Sequence, residues 1–151
     1  MKSLQIQFRN YDFRFRKEKE EEKIFDIIRK KFVALTPEEF VRQNILHHLV
    51  FDKHYPKGLI SIETGLKVFE LNKRTDLIVF DKNAKPFLLI ECKAPAIKVT
   101  QAVLDQVSRY NLKLKAPFIV VSNGNETLIC KINFETEEYI FLQELPAIDG
   151  K

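Results

Sequence analysis

The sequence has little of what marks several large classes of protein. It contains no tryptophan, one methionine, four glycines and two cysteines, and none of its uninterrupted apolar stretches exceeds five residues. Because a transmembrane helix needs about 20 consecutive apolar residues, the chain is predicted not to cross a membrane. Two cysteines far apart in the sequence do not form a disulfide framework. Few glycines beside 13 phenylalanines and 4 tyrosines exclude a disordered or low-complexity chain.

The remaining composition is that of a soluble globular protein. Of the 151 residues, 45% are apolar and 30% are charged, which suits one domain with a buried core. The net charge of +4, from 25 basic and 21 acidic residues, permits a nucleic-acid partner without indicating one. The first residues lack the apolar block of a signal peptide, and the cysteine usage suits a reducing compartment. We therefore predict a cytoplasmic protein.

We predict a single domain over residues 1–151, divided into an N-terminal β-hairpin extension (1–30), a core (31–135) and a C-terminal edge (136–151). Residues 4–16 alternate apolar and polar side chains, which is typical of β-strands. The charged run at residues 17–23, KEKEEEK, balances its charges locally and is predicted to form a solvated hairpin tip.

Two helices and several buried strands are predicted for the core. Thr36 is a favourable N-cap and Pro37 a favourable first helical residue, so the first helix begins there and ends before the breaker residues at 55–58. Residues 99–115 form the second helix. Strands are predicted at residues 59–66, 76–80, 87–90, 117–121, 127–132 and 139–142. This order of elements is typical of an α/β sandwich built around a mixed β-sheet.

One predicted hairpin carries the chemistry. Suppose that the four residues after Asp81 form the loop, so that Asp81 lies opposite Pro86. Asp76 then lies opposite Glu91. Directly opposed side chains share a face with Cβ atoms about 4.5–5.5 Å apart, and Lys93, two residues beyond Glu91, shares that face. Two carboxylates and an ammonium group therefore converge at the end of a buried sheet.

This convergence suggests a metal site. Opposed carboxylates repel each other, and a divalent cation bound by Asp76 and Glu91 removes that penalty. Hard carboxylate ligands favour Mg²⁺ or Mn²⁺ over zinc. The backbone carbonyl of Cys92 is a third candidate ligand, and Lys93 would position a water or stabilise charge on a phosphate. The alternative is a hairpin whose polar ends are solvated, with Lys93 neutralising the acids, and spacing does not separate the two.

The second predicted helix places two polar residues in its apolar stripe. Gln106 and Tyr110 are four residues apart and are therefore adjacent on one face. An amide and a phenol in such a stripe need hydrogen-bond partners, which a polar site beneath the helix would supply. The alternative is a surface glutamine beside a tyrosine whose hydroxyl is solvated.

Together, Asp76, the Glu-x-Lys of Glu91 and Lys93, and the Gln-x-x-x-Tyr of Gln106 and Tyr110 resemble the PD-(D/E)xK nuclease superfamily. In particular, they resemble the N-terminal nuclease domain of type I restriction enzyme R subunits. The matching stretches follow the family's order within roughly residues 25–130: 36–49 (TPEEFVRQNILHHL), 73–81 (KRTDLIVFD), 91–95 (ECKAP), 105–111 (DQVSRYN) and 121–124 (VSNG).

The resemblance implies a restriction-endonuclease-like core and a DNA endonuclease that hydrolyses phosphodiester bonds with Mg²⁺ or Mn²⁺. It implies that Asp76 and Glu91 bind the metal and that Lys93 is the catalytic lysine. The sequence departs from the motif at Thr75, which stands where the motif is named for proline.

The resemblance also implies accessory residues. Gln106 and Tyr110 match the family's accessory motif, with Gln106 counted among the catalytic residues. The superfamily often carries an acidic residue on its first helix, and either Glu38 or Glu39 fits this position.

DNA is the implied substrate, and Lys73, Arg74 and Arg109 are predicted to contact its phosphates, with scattered solvated cations as the alternative. The sequence contains no GxxxxGK[ST] phosphate loop, so we expect no motor domain. Separate motor or specificity subunits are therefore expected partners, and a homodimer would allow both strands to be cut. The rival hypothesis is a catalytically inactive nucleic-acid-binding or assembly module of a restriction or repair system.

Histidine and cysteine are not predicted to form further sites. His47, His48 and His54 are predicted to be ordinary histidines of a polar face, since no cysteine pair or HExxH pattern accompanies them. Cys92 and Cys130 are predicted to be structural thiols, because nothing in the sequence supplies a base to activate them.

Overall fold

The computed structural model describes residues 3–6, 8–62 and 77–148, and within these ranges the chain forms two β-sheets. The smaller sheet has the strand order β1-β2-β3, formed by Phe15–Glu18, Glu21–Asp26 and Lys31–Ala34. The larger sheet has the order β4-β5-β6-β7-β8-β9, formed by Ile60–Ile62, Leu77–Phe80, Pro86–Cys92, Phe118–Ser122, Thr127–Asn133 and Glu138–Phe141. Strands β6 and β7 pair in parallel and the other neighbours are antiparallel, which confirms the predicted mixed sheet.

The first helix, α1 (Pro37–His47), begins where the sequence predicts. The Thr36 side-chain oxygen accepts a hydrogen bond from the Glu39 amide at 3.0 Å, which satisfies one of the unpaired donors of the first turn. The helix continues as a π-helical turn, His48–Asp52. Its apolar stripe is buried, as the four-residue spacing predicts: Val41, Ile45, Leu46 and Leu49.

The second helix, α2 (Gln101–Leu114), connects the parallel strands β6 and β7. Thr100 precedes it, and its side-chain oxygen accepts from the Val103 amide at 3.3 Å. A short 3₁₀ turn, Lys57–Leu59, leads into β4. No helix among the described residues combines the length and the apolar character that crossing a bilayer requires.

The larger sheet separates two apolar clusters, and each helix covers one face. Since successive side chains of a strand point to opposite faces, the position of a residue along its strand decides which helix it meets. The cluster on the α1 face includes Leu77, Val79, Leu88, Ile90 and Cys92. The cluster on the α2 face includes Ile78, Leu89, Val121, Leu104 and Val107.

At the end of the hairpin away from the loop, strands β5 and β6 pair in the predicted register, with Leu77 opposite Ile90. The prediction is wrong by one residue at the loop itself. A β-bulge there places Phe80, rather than Asp81, opposite Pro86. The bulge adds Phe87 as an extra residue of β6, which cancels the one-residue shift at the loop, so the pairs from Val79 to Leu77 have the predicted register.

The N-terminal extension differs from the predicted hairpin. Among the described residues of this stretch, 4–6 and 8–16, only Phe15 and Arg16 belong to a strand, and Leu4 forms an isolated bridge with Thr127. The alternation reflects aromatic packing on α1, since Phe13 packs against a helix residue instead of pairing in a sheet.

The predicted tip is confirmed, because β1 and β2 are joined by a turn within the charged run. Its two residues, Lys19 and Glu20, have positive φ angles. Strand β3 adds a third strand to this sheet beyond residue 30.

Charged residues join the smaller sheet to α1. Asp26 is fully buried and accepts hydrogen bonds from the Arg29 Nε at 2.7 Å and the Gln43 Nε2 at 3.1 Å. Glu39 lies beside them and accepts from Arg42 at 2.7 Å and from Arg29 at 3.3 Å. Two acids, two arginines and one amide therefore form a buried cluster in which opposite charges are paired.

The prediction that His47 lies on a polar face is wrong. His47 is 4% exposed, and its Nδ1 donates a hydrogen bond to the Gln43 carbonyl oxygen at 2.7 Å. The Phe13 ring lies 4.6 Å from the His47 ring, and the rings of Tyr11 and Phe51 also contact it. The N-terminal segment, which is distant in sequence, thus covers this side of the helix.

Acidification is expected to destabilise the protein through His47. Burial lowers the pKa of His47 below its ordinary value of 6.5, so the unfolded chain binds a proton more readily than the folded chain. The stability associated with neutral His47 is present above pH 6.5 and decreases as the pH falls below it. Urea unfolding at about pH 7.5 and about pH 5 should show a larger loss for the wild type than for His47→Gln. The exposed control variant His54→Gln should lose as much as the wild type, and parallel losses in all three proteins would contradict the assignment.

Candidate active site

Glu91 and Lys93 lie together at the carboxyl end of strand β6. Cys92, between them, is fully buried in the cluster on the α1 face. Because side chains alternate along the strand, Glu91 and Lys93 point to the face that α2 covers. The Lys93 Nζ lies 3.3 Å from the Glu91 Oε1, and the two side chains are 25% and 13% exposed. The predicted shared face of these two residues is therefore confirmed.

The neighbouring strand fixes the backbone around this pair. The Lys93 amide donates to the Ser122 carbonyl at the end of β7, at 2.8 Å, so the parallel pairing extends one residue past β6. Backbone groups of successive strand residues point in opposite directions within the sheet. The Cys92 carbonyl therefore points towards β5, on the side from which the sequence predicts Asp76.

Three of the predicted site residues lie outside the described residues. Asp76 immediately precedes Leu77, the first residue of β5, and Lys73 and Arg74 precede it. The predicted pairing of Asp76 with Glu91 stays a prediction, as do the predicted roles of Lys73 and Arg74 in DNA binding. No group of three or more His, Cys, Asp or Glu residues within 3–6, 8–62 and 77–148 is arranged to hold a metal ion.

Helix α2 carries the predicted accessory residues over the same face of the sheet. Tyr110 is 5% exposed and Gln106 is half-buried. Their helix packs through Leu104 and Val107, which belong to the cluster on the α2 face. The structure thus brings Gln106 and Tyr110 to the side of the sheet that carries Glu91 and Lys93.

Sequence reasoning missed one buried polar residue of α2. The Asn111 side chain donates to the Ala116 carbonyl at 2.8 Å and accepts from the Ala116 amide at 2.9 Å. These bonds hold the end of the helix where Lys115 adopts a positive φ angle. The signal available in the sequence is an asparagine four residues after Val107, and therefore on the same helix face, three residues before the helix ends.

Arg109 lines a groove of about 290 Å³ between α2 and the β8–β9 hairpin. The groove also contains Ser108, whose hydroxyl accepts a hydrogen bond from the Tyr139 hydroxyl at 2.8 Å. The predicted contact of Arg109 with DNA stays a prediction.

The two first-helix acids have different surroundings. Glu39 is 7% exposed, and both of its carboxylate oxygens accept hydrogen bonds within the buried cluster described above. The Glu38 side chain is 38% exposed and lies 3.7 Å from an Arg42 nitrogen. Of the two, Glu38 has the side chain that is more accessible to a ligand.

The first turns of α1 approach the same end of the larger sheet. A Cβ atom added to Gly124, which has a φ of 90°, would lie 3.2 Å from the Val41 side chain. Gly124 follows β7, whose last residue pairs with Cys92. The sheet end that carries Glu91 and Lys93 therefore faces α2 on one side and the beginning of α1 on the other.

The donors present suit a hard divalent cation. The Glu91 carboxylate and the Cys92 carbonyl are oxygen ligands, which Mg²⁺ and Mn²⁺ prefer, whereas the thiol of Cys92 is buried on the opposite face. Glu91 and Lys93 have opposite charges, so the pair alone is neutral. A second carboxylate, which the sequence predicts at Asp76, would make the site negative and favour the binding of a cation.

Comparisons with known proteins identify the family and the fold. The profile of the family described as "Type I restriction enzyme R protein N terminus (HSDR_N)" matches residues 37–146. The fold is similar to a fragment assigned as an HsdR subunit of a type I restriction enzyme from Vibrio vulnificus YJ016, with a TM-score of 0.54 and 19% identity. That similarity covers 78% of this chain and 25% of the other, so this chain spans about a quarter of that structure's length. No curated protein sequence matches the chain.

Proposed function

Because the chain belongs to the family of type I restriction enzyme R protein N termini, we propose that it is a nuclease domain that hydrolyses phosphodiester bonds in DNA with Mg²⁺ or Mn²⁺. The observation that supports this best is the 3.3 Å pair of Glu91 and Lys93 on the face covered by α2. Both side chains are largely buried and still reachable. In the alternative, a hairpin whose polar ends are simply solvated, the acid and the amine would be exposed to water. Burying charged groups beneath a helix costs free energy, which a functional site would explain.

Asp76, Glu91 and the Cys92 carbonyl would hold the metal ion. Leu77 lies opposite Ile90, and we propose that this pairing continues by one residue and sets Asp76 opposite Glu91. The Cys92 carbonyl points towards the same strand. When bound, the ion would polarise a phosphoryl oxygen and lower the pKa of a water molecule.

The other residues would orient the substrate. Lys93 is held by Glu91 and by its own backbone bond to Ser122, so its ammonium group is positioned to stabilise negative charge on the phosphate. Gln106 and Tyr110 would hold the DNA backbone or the attacking water from α2. Glu38 fits the family's first-helix acid better than Glu39, whose oxygens already accept hydrogen bonds.

Partners follow from the same proposal. Lys73, Arg74 and Arg109 would contact DNA phosphates, which predicts binding that weakens as salt concentration rises. Motor and specificity functions would reside in other parts of the restriction enzyme or in separate subunits. A single centre cuts one strand, so a double-strand break would require two copies. The proposed function would make the protein part of a restriction-modification system.

Metal-dependent nicking of supercoiled plasmid tests the proposed function. The wild type is expected to nick the plasmid with Mg²⁺ or Mn²⁺ and to be inactive in EDTA. Glu91→Gln removes a charged ligand and should lower the nicking rate by about 100-fold or more. The measurement is the rate at which relaxed plasmid forms at a fixed enzyme concentration.

Glu135→Gln provides the matched control, because it makes the same change at an exposed residue of the β8–β9 turn. This variant should nick at the wild-type rate. Binding of DNA without nicking in any divalent metal would contradict the enzyme assignment and favour the binding or assembly module instead.

A further inference from the structure

The loop that follows Lys93 is held by one buried side chain. Asn123, directly after β7, is 4% exposed, and its Nδ2 donates to the Ile97 carbonyl oxygen at 2.8 Å. Ile97 lies in the segment between Lys93 and α2. Its own amide donates to the Ala94 carbonyl at 3.0 Å, which makes a tight turn immediately after Lys93.

The same side chain is fixed to a rigid turn. The Asn123 Oδ1 accepts hydrogen bonds from the Asn125 amide at 2.9 Å and from the Glu126 amide at 2.7 Å. Gly124, within this turn, packs against Val41 of α1. Asn123 therefore connects the loop after Lys93 to a turn that is anchored on both β7–β8 and α1.

Consecutive residues of β7 and its turn thus secure both ends of the segment that carries Lys93. The Ser122 carbonyl accepts from the Lys93 amide, and Asn123 donates to Ile97 four residues later. Val99, at the far end of the loop, is buried in the cluster on the α2 face. The hydrogen bond from Asn123 to Ile97 therefore restricts the movement of the segment that contains Lys93.

We propose that Asn123 is a positioning residue for Lys93 in the cleavage reaction, an inference that rests on the proposed function. The role requires a side chain that accepts from the turn and donates to the loop at the same time, which an amide does and a carboxylate does not. By holding the loop after Lys93, Asn123 would position the Lys93 backbone and therefore its ammonium group relative to the phosphate of the DNA substrate.

Asn123→Asp separates the two roles of the side chain. The carboxylate keeps the acceptor for the turn but loses the donor, and it places negative charge against the Ile97 carbonyl. We expect kcat for plasmid nicking to fall by about 10- to 100-fold, because a displacement of about 1 Å has that effect, with KM for DNA within about twofold. Asn125→Asp, the same change at an exposed neighbour, should leave both parameters at their wild-type values.

Hydrogen exchange followed by mass spectrometry gives a readout that does not require activity. The peptide containing residues 93–99 should exchange faster in Asn123→Asp than in the wild type, and at the wild-type rate in Asn125→Asp. If Asn123→Asp does not fold, Asn123→Ser is used, since a hydroxyl still accepts from the turn but is too short to reach Ile97.

The two proposals fail in different ways. No nicking by the wild type in any divalent metal would overturn the proposed function. Nicking by the wild type and Asn123→Asp with equal kcat, or equal exchange of residues 93–99 in the two proteins, would overturn the role of Asn123 alone.

Discussion

Replacing Lys93 with alanine is expected to lower metal-dependent DNA cleavage by about 100- to 1,000-fold, the effect of removing one group that stabilises charge in a transition state. The Lys93 Nζ lies 3.3 Å from the Glu91 Oε1, and the Lys93 amide donates to the Ser122 carbonyl, so both the side chain and the backbone of Lys93 are held in place. The loss should appear in the single-turnover rate at saturating DNA. Binding of Mn²⁺, measured by calorimetry, should persist because Lys93 is not a ligand.

Two variants control for this experiment. Lys85→Ala removes the same side chain from the exposed β5–β6 loop and should cleave at the wild-type rate. Lys93→Arg keeps the positive charge but changes its geometry, and an activity between those of the wild type and Lys93→Ala is expected. Cleavage by Lys93→Ala at the wild-type rate, with the fold verified by circular dichroism, would show that Lys93 has no part in the reaction.

Replacing Asp26 with alanine is expected to lower the free energy of unfolding by about 3 kcal/mol, the lower end of the range for removing one partner of a buried ion pair. Asp26 is fully buried and accepts hydrogen bonds from Arg29 and Gln43 as well as from the Ile28 and Arg29 amides. Alanine removes the acceptor of the Arg29 Nε and of the two amides, whereas Gln43 keeps its hydrogen bond to Glu39. It also leaves the buried cluster with an excess of positive charge. Urea unfolding measures the difference directly.

Glu21→Ala is the matched control, because Glu21 is an exposed acid on the same strand. Its effect should stay within about 0.5 kcal/mol, as is usual for surface substitutions. Asp26→Asn keeps one acceptor oxygen and should fall between the two. Equal stability of Asp26→Ala and Glu21→Ala would mean that the cluster does not hold the smaller sheet on α1.

Local rules account for the parts of the fold that sequence reasoning predicted well. The start of α1 follows from the cap formed by Thr36, which needs only residues within one turn. The register of β5 and β6 follows from a short connection and a two-residue period, so Leu77 lies opposite Ile90 even though a bulge shifts the loop end. The same period puts Glu91 and Lys93 on one face. The shared face of Glu91 and Lys93 could therefore be predicted from spacing alone.

Sequence reasoning failed where the deciding partner is distant in the chain. The alternation of residues 4–14 is compatible with a strand, yet Phe13 contacts His47, 34 positions later, and residues 8–14 form no strand. His47 looked like a polar-face histidine because nothing near it in sequence covers it. Sequence spacing does not distinguish Glu38 from Glu39 at the family's first-helix position, whereas the structure does, because the Glu39 oxygens accept hydrogen bonds from Arg42 and Gln43.

By itself, the sequence determined the start of the first helix, the faces of the strands and the residue types that suit a hard metal ion, because caps and periodicity act over a few residues. The second helix begins two residues later than the predicted residue 99. Only the tertiary structure decided which helix covers the face of Glu91 and Lys93, which first-helix acid has both carboxylate oxygens hydrogen-bonded in a buried cluster, and that Asn123 reaches the loop after Lys93. These features depend on contacts between segments far apart in the chain. Sequence spacing does not specify such contacts, since they form only when the whole sheet and both helices have packed.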